Sequence, residues 1–174
     1  GEYAFSQCEF LSKVELPLGL TDIGSRAFSF CECLKDVILP NKLTQIGEYA
    51  FYGCKSLREI VLPSGITELS SGIFYDCVSL RKAVLPEGLI RIDFYAFWGC
   101  SSLSEVNIPE TVIEIKGSAF RDCISLTELI IPEGVTNISY LATGCKALKK
   151  VTLPSGLTEI GEAAFQNCSS LEEI

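Results

Sequence analysis

The sequence predicts a repeat solenoid with coils of about 23 residues and a parallel β-sheet along one side. Three observations predict it. Cysteine stands at positions 8, 31, 54, 77, 100, 123, 145 and 168, and a leucine follows each one three residues later, from Leu11 to Leu171. All seven prolines, from Pro17 to Pro154, stand nine residues after one of these cysteines. Between cysteine and proline, the string typified by Cys54 to Pro63, CKSLREIVLP, returns in nearly the same form. A coil this short has no room for a helix pair and suits one strand with an irregular or short helical return. Each unit buries its apolar face only against its neighbours, so 48% hydrophobic residues suffice for a continuous core.

The first element of each coil is a strand. Ile60-Val61-Leu62 before Pro63 recurs as Val14-Glu15-Leu16, Val37-Ile38-Leu39, Ala83-Val84-Leu85, Val106-Asn107-Ile108, Leu129-Ile130-Ile131 and Val151-Thr152-Leu153. The first and third residues point inward and the middle one outward, by the two-residue period of a strand. Strands one coil apart can pair only in parallel, about 4.8 Å apart. Proline closes each strand because it cannot donate to the ladder. A turn such as Ser64-Gly65 follows, then a second short extended piece, as in Thr44-Gln45-Ile46 or Thr67-Glu68-Leu69.

Next comes Ala-Phe, as at Ala27-Phe28, Ala50-Phe51, Ala96-Phe97, Ala119-Phe120 and Ala164-Phe165, with Ile73-Phe74 as a variant. Alanine permits close approach while phenylalanine fills the core, so a short helical or 3₁₀ turn is expected here, opposite the sheet. Gly53, Asp76, Gly99, Asp122, Gly144 and Asn167 precede the cysteines and read as turn residues at positive φ. One coil departs from the pattern. Between Pro132 and Cys145 it has one residue fewer, and SYLATGC lacks the phenylalanine. This coil is expected to tighten, with Tyr140 or Leu141 filling part of the space.

The periodic cysteines read as an inward column of free thiols acting as small apolar fillers, because side chains pointing the same way are poorly placed to bridge. Cys33 brings the total to nine, and Cys31-Glu32-Cys33 alone is a weak metal signal. With 14 basic and 22 acidic residues the net charge is −8, which argues against a nucleic-acid partner. No apolar run approaches the roughly 20 residues that span a bilayer, so direct membrane insertion is not expected. There is no histidine, which removes Ser-His and Cys-His pairs and histidine metal sites. A phosphate-cradling Gly-rich loop and EF-hand spacing are also missing. Neither an enzyme nor a cofactor is therefore expected. Asn137-Ile138-Ser139 and Asn167-Cys168-Ser169 match the glycosylation triplet, which matters only in a eukaryotic secretory route.

In a solenoid, surfaces are read down columns of equivalent positions. The outward strand column contains Ile38, Val61 and Val84 in succession, flanked by a basic column of Lys35, Arg58 and Arg81. The apolar stripe reads either as strand propensity or as the centre of a binding face. A second column holds Tyr52, Tyr75 and Trp98, with Tyr49, Phe94 and Tyr95 close by. These aromatics read either as a hot-spot patch for a protein or glycan, or as rings that stack on one another to shield the turns.

The string L-x-x-V-x-L-P-x-x-L-T-x-I-G-x-x-A-F-x-x-C-x-x-L resembles the BspA-like, or treponemal-type, leucine-rich repeat over essentially the whole chain. The resemblance implies a right-handed leucine-rich-repeat array with the parallel sheet on its concave side. It also implies surface proteins of bacteria and some parasitic protists, linked to adhesion to host matrix proteins and to cell aggregation. On this basis residues 1–174 form one repeat domain of about 7.5 repeats. The function implied is a non-catalytic protein-interaction or adhesion module of a cell-surface or secreted protein, binding host or matrix protein or glycan. The alternative is a rigid spacer that presents a neighbouring domain. Gly1 to Phe5 match Gly47 to Phe51 in register and Ile174 falls in a strand, so a piece of a longer array is expected, and end-to-end self-association stays open.

Overall fold

The computed structural model describes residues 1–174. Fourteen strands of two or three residues alternate along it, in chain order β1 (Lys13–Val14), β2 (Asp22–Ile23), β3 (Asp36–Val37), β4 (Gln45–Ile46), β5 (Glu59–Val61), β6 (Glu68–Leu69), β7 (Lys82–Val84), β8 (Arg91–Ile92), β9 (Glu105–Val106), β10 (Glu114–Ile115), β11 (Glu128–Ile130), β12 (Asn137–Ile138), β13 (Lys150–Thr152) and β14 (Glu159–Ile160). Every pairing is parallel and joins a strand to its equivalent one coil on. Odd-numbered strands form one side of the coil, in the runs β1-β3, β5-β7-β9 and β11-β13. Even-numbered strands form a second side, in the runs β2-β4, β6-β8-β10 and β12-β14. Register follows the repeat: Ile60 pairs with Ala83 and Val61 with Val84, a step of 23.

The expected alternation holds. Ile60 and Leu62 are buried while Val61 is exposed, and the same is true of Val37, Leu39 and Ile38. One continuous core runs the length of the array. At its centre Phe5, Phe28, Phe51, Phe74, Phe97 and Phe120 stack face to face, with ring centroids 5.2 to 5.8 Å apart. This spacing slightly exceeds the strand separation of about 4.8 Å, so each ring offsets against the next.

The short helical or 3₁₀ turn expected at Ala-Phe is not what forms. The chain contains no helix; a run of turns with bonds from N–H(i+3) to C=O(i) alternates with bonds to the next coil. Ala50 N–H donates to Gly47 O, Phe51 N–H to Ile73 O, Tyr52 N–H to Tyr49 O, and Gly53 N–H to Tyr75 O. A helix would spend every N–H within the coil, whereas here every second one is released to the neighbour. The cost is backbone strain. The expected positive φ before the cysteines is present at Gly53, Asp76, Gly99, Asp122, Gly144 and Asn167. A second such column, four residues earlier, contains Arg26, Tyr49, Gly72, Tyr95, Ser118 and Tyr140. Positive φ falls on the third residue of the turns Gly47–Ala50 and Phe51–Cys54, as in a type II turn, and not on that of Tyr49–Tyr52 between them.

From Phe30 onward the column before the cysteines alternates a side chain with a glycine: Phe30, Gly53, Asp76, Gly99, Asp122, Gly144, Asn167. A methyl group on Gly53 would meet the Phe30 ring, and one on Gly99 or Gly144 would overlap Oδ1 of Asp76 or Asp122. Each larger side chain leans over the glycine of the following coil.

The eight periodic cysteines are all free. Beyond filling space, each from Cys31 to Cys145 donates its thiol to the carbonyl of the core phenylalanine of the preceding coil, as in Cys54 Sγ to Phe28 O at 3.2 Å and Cys100 Sγ to Phe74 O at 3.1 Å. Burial pushes these thiols up, Cys31 to about 11 and Cys145 to about 12, with Cys54, Cys77, Cys100 and Cys123 also raised. They are inert as nucleophiles.

The short coil does tighten. Its missing residue falls at the bend between β12 and the following turn, and the pairings that cross it step by 22, as for Glu128 with Lys150. Leu141 takes the alanine position and Ala142 the phenylalanine position, and both are fully buried. Leu141 therefore fills the space. Tyr140 stays half-buried at the surface.

Candidate functional site

The residues singled out by sequence fall on two separate sides of the coil. Ile38, Val61, Val84, Arg58 and Arg81 belong to the odd-strand face, and Tyr49, Tyr52, Tyr75, Phe94, Tyr95 and Trp98 to the turn side. Cys54 to Leu57 form the corner between them in one coil, with both ends of that corner buried.

On the turn side the rings make a continuous chain. Phe30 meets Tyr52 at 4.4 Å, Tyr52 meets Tyr75 at 5.0 Å, and Tyr75 meets Trp98 at 5.1 Å between centroids. Tyr95 joins from the adjacent column, 5.3 Å from Trp98. Cations cap the ends: the Arg121 guanidinium lies 4.7 Å over Trp98, and Arg26 lies 5.0 Å over Tyr49. The Tyr49 ring also lies across Gly72, where a methyl group would overlap it. Trp98 Nε1 donates to Asp122 Oδ2 at 3.1 Å. Burial raises the Tyr49 and Tyr75 phenols, and it raises the Asp76 carboxyl against the opposing pull of Lys55. Tyr49, Tyr52, Tyr75, Tyr95 and Trp98 are half-buried; Phe94 is the exposed one at 44%, with the Lys116 ammonium 5.9 Å over its ring. Much of this aromatic surface is thus already in contact with the protein itself.

The odd-strand face is open. Ile38 is 84% exposed, Val61 61%, Val84 40% and Ile130 50%. Shallow troughs run between these side chains. One of about 410 Å³ is lined by Leu16, Leu18, Lys35, Asp36 and Ile38 among others, and a second of about 400 Å³ by Ile38, Asn41, Glu59, Val61 and Pro63 among others. Leu18, 85% exposed, was not picked out from the sequence. A signal for it was present, since its equivalents Asn41, Ser64, Glu87, Glu110, Glu133 and Ser155 are all polar. The residue at Glu59 and its equivalents also faces outward, giving a mixed column of Asp36, Glu59, Lys82, Glu105, Glu128 and Lys150 between the basic and apolar columns.

The even-strand face is polar. Its centre is Arg91, which pairs with Glu68 at 2.5 Å and lies 3.8 Å from Glu114. No group of three or more histidine, cysteine, aspartate or glutamate side chains could hold a metal ion, and no helix is long and apolar enough to cross a membrane.

The model of the BspA type leucine rich repeat region matches in six copies, over residues 1–104 and 67–174. No curated protein matches. Among solved structures, the chain is similar to a leucine rich repeat protein of T. pallidum, with 37% identity over 92% of this chain and 75% of that one, at a TM-score of 0.84. It is also similar to a leucine-rich repeat protein of Bacteroides ovatus, with 29% identity over 98% of this chain and 50% of that one, at a TM-score of 0.75. A leucine-rich repeat protein of Eubacterium ventriosum shares 26% identity over 88% of this chain and 42% of its own length, at a TM-score of 0.77. The chain thus spans about half or less of the length of the last two. With the 23-residue step, the parallel pairing and the family match over its full length, the chain belongs to the BspA-type leucine-rich repeat family.

Proposed function

We propose that the chain is a non-catalytic protein-interaction module of a cell-surface or secreted protein, and that it binds through the odd-strand face. The observation that carries this reading is the exposed column Ile38, Val61, Val84 with the troughs beside it. An apolar stripe within a polar surround is the usual form of a protein-binding site. Family membership supports an adhesive role at the cell surface, with extracellular-matrix proteins as the ligand class.

The test is surface plasmon resonance of the chain against a panel of matrix proteins, repeated with Ile38→Asp plus Val61→Asp. Binding by the wild type that falls by about tenfold or more in the double variant supports the reading. Binding that survives this change but is lost in Tyr75→Ala plus Trp98→Ala moves the site to the turn side. Binding to none of the panel favours the rigid spacer.

A further inference from the structure

We infer that the partner of the odd-strand face is an amphipathic α-helix carrying an acidic stripe beside an apolar one, laid along the solenoid axis across the second to fourth coils. The inference rests on the reading of that face as the binding surface and names the chemistry that fits it.

Charge is the first observation. Lys35, Arg58 and Arg81 occupy equivalent positions on three successive coils, and all are exposed. None takes part in an ion pair, although the carboxylates of Asp36 and Glu59 are their chain neighbours. Their strands lie about 4.8 Å apart, which keeps three like charges near one another. In a chain of net charge −8 they form an unneutralised basic column. A partner with carboxylates at matching intervals relieves the repulsion between these like charges.

Spacing is the second. Three coils span about 9.6 Å from first to third side chain. On an α-helix, residues i, i+3 or i+4, and i+7 share a face and span about 10.5 Å. An extended strand repeats its side chains only every 6.8 Å or so, and three of them would span about 13.5 Å. The helix keeps step with the coils and the strand does not.

Width is the third. Arg58 and Val61 stand three residues apart, about 10 Å along an extended chain. A helix with its side chains is about 10–12 Å across. It can therefore set an acidic stripe over Lys35, Arg58 and Arg81 while its apolar stripe packs on Ile38, Val61 and Val84 and enters the trough between the second and third coils. The middle column, Asp36, Glu59 and Lys82, then lies beneath the helix midline and calls for polar side chains there.

The experiment is selection of a phage-displayed library against the biotinylated chain. The library mixes 18-residue helical scaffolds having two randomised stripes with Pro-interrupted extended peptides of the same length. The expected winners are helical, with Asp or Glu at i, i+3/i+4 and i+7 on one stripe and Leu, Ile or Phe on the other. Their affinity drops by about tenfold or more in Arg58→Glu plus Arg81→Glu, measured by fluorescence anisotropy. Winners that are extended, that lack the acidic stripe, or that bind the charge-reversed chain equally well overturn the inference. So does heparin binding lost on charge reversal when no acidic peptide is enriched, since the basic column then serves a sulfated polymer. A matrix protein that depends on Ile38 and Val61 but is indifferent to Arg58 and Arg81 also overturns it, while leaving the strand-face reading intact.

Discussion

The turn side and the odd-strand face of one coil use side chains in opposite ways. On the turn side nearly every group has an internal partner: thiols donate to phenylalanine carbonyls, phenyl rings stack, Arg121 covers Trp98, and Tyr49 lies across Gly72. On the strand face the column Ile38, Val61, Val84 and the cations beside it have none. Aromatic residues alone are therefore a poor guide to a binding surface in a stacked array. The better guide is a side chain whose own fold leaves it without a partner.

The difference is sharpest at alkaline pH. The buried thiols have raised pKa values, so the stability they contribute is complete below their ordinary value of 9.0 and is lost as pH rises toward the folded values, about 11 for Cys31 and about 12 for Cys145. Above pH 9 the unfolded chain releases protons that the folded chain retains. Each thiol then removes stability with a slope that rises toward about 1.4 kcal/mol per pH unit as its unfolded form ionises, and the five deeply buried thiols Cys54, Cys77, Cys100, Cys123 and Cys145 act in the same direction. Urea midpoints at pH 8, 9 and 10 should fall steeply, and less steeply in Cys100→Ala plus Cys123→Ala. A pH-independent midpoint would contradict the buried thiol column.

Next in size is the ring stack. Phe74→Ala opens a hole between Phe51 and Phe97 and should cost about 3 to 5 kcal/mol by chemical denaturation. Ala142 shows how the array avoids that cost, with Leu141 one residue earlier restoring the volume. In a coil that has the alanine, the compensated change Ala96→Leu plus Phe97→Ala should accordingly recover part of what Phe97→Ala alone loses; no recovery would mean that the short coil depends on its deletion as well.

The smallest effect on stability belongs to the strand face. Ile38→Ser and Val61→Ser should each shift stability by about 0.5 kcal/mol or less, since neither side chain fills the core. A thermal melt that drops as far as that of Phe74→Ala would place these residues on the structural side of the comparison.

Much of the architecture was legible because the coil repeats. The inward and outward alternation of Ile60-Val61-Leu62 follows from strand period alone, and the positive φ before each cysteine was marked by Gly53, Gly99 and Gly144. The second strained column was hidden because Arg26, Tyr49, Tyr95 and Ser118 carry no compositional sign of left-handed backbone. It is imposed by turns that share their N–H groups with the next coil, a non-local effect. The same sharing displaced the helical turn expected at Ala-Phe. The thiol bonds to Phe28, Phe51 and Phe74 carbonyls depend on how coils stack, which residue type alone does not reveal. Within the candidate surface, the stripe Ile38, Val61, Val84 was visible from the sequence, whereas the engagement of Tyr49 and Trp98 by Gly72 and Arg121 was not.

The alternation of Phe30, Gly53, Asp76, Gly99, Asp122 and Gly144 has a consequence for how such an array can grow. Removing one coil between Asp76 and Asp122 would set two aspartates on consecutive coils, with a Cβ where the first needs an empty place. Removing two coils keeps each larger side chain over a glycine. From Phe30 to Gly144, loss of a pair of coils, about 46 residues, therefore preserves this packing where loss of a single coil does not, whereas Gln7 and Phe30 stand on consecutive coils with no glycine between them.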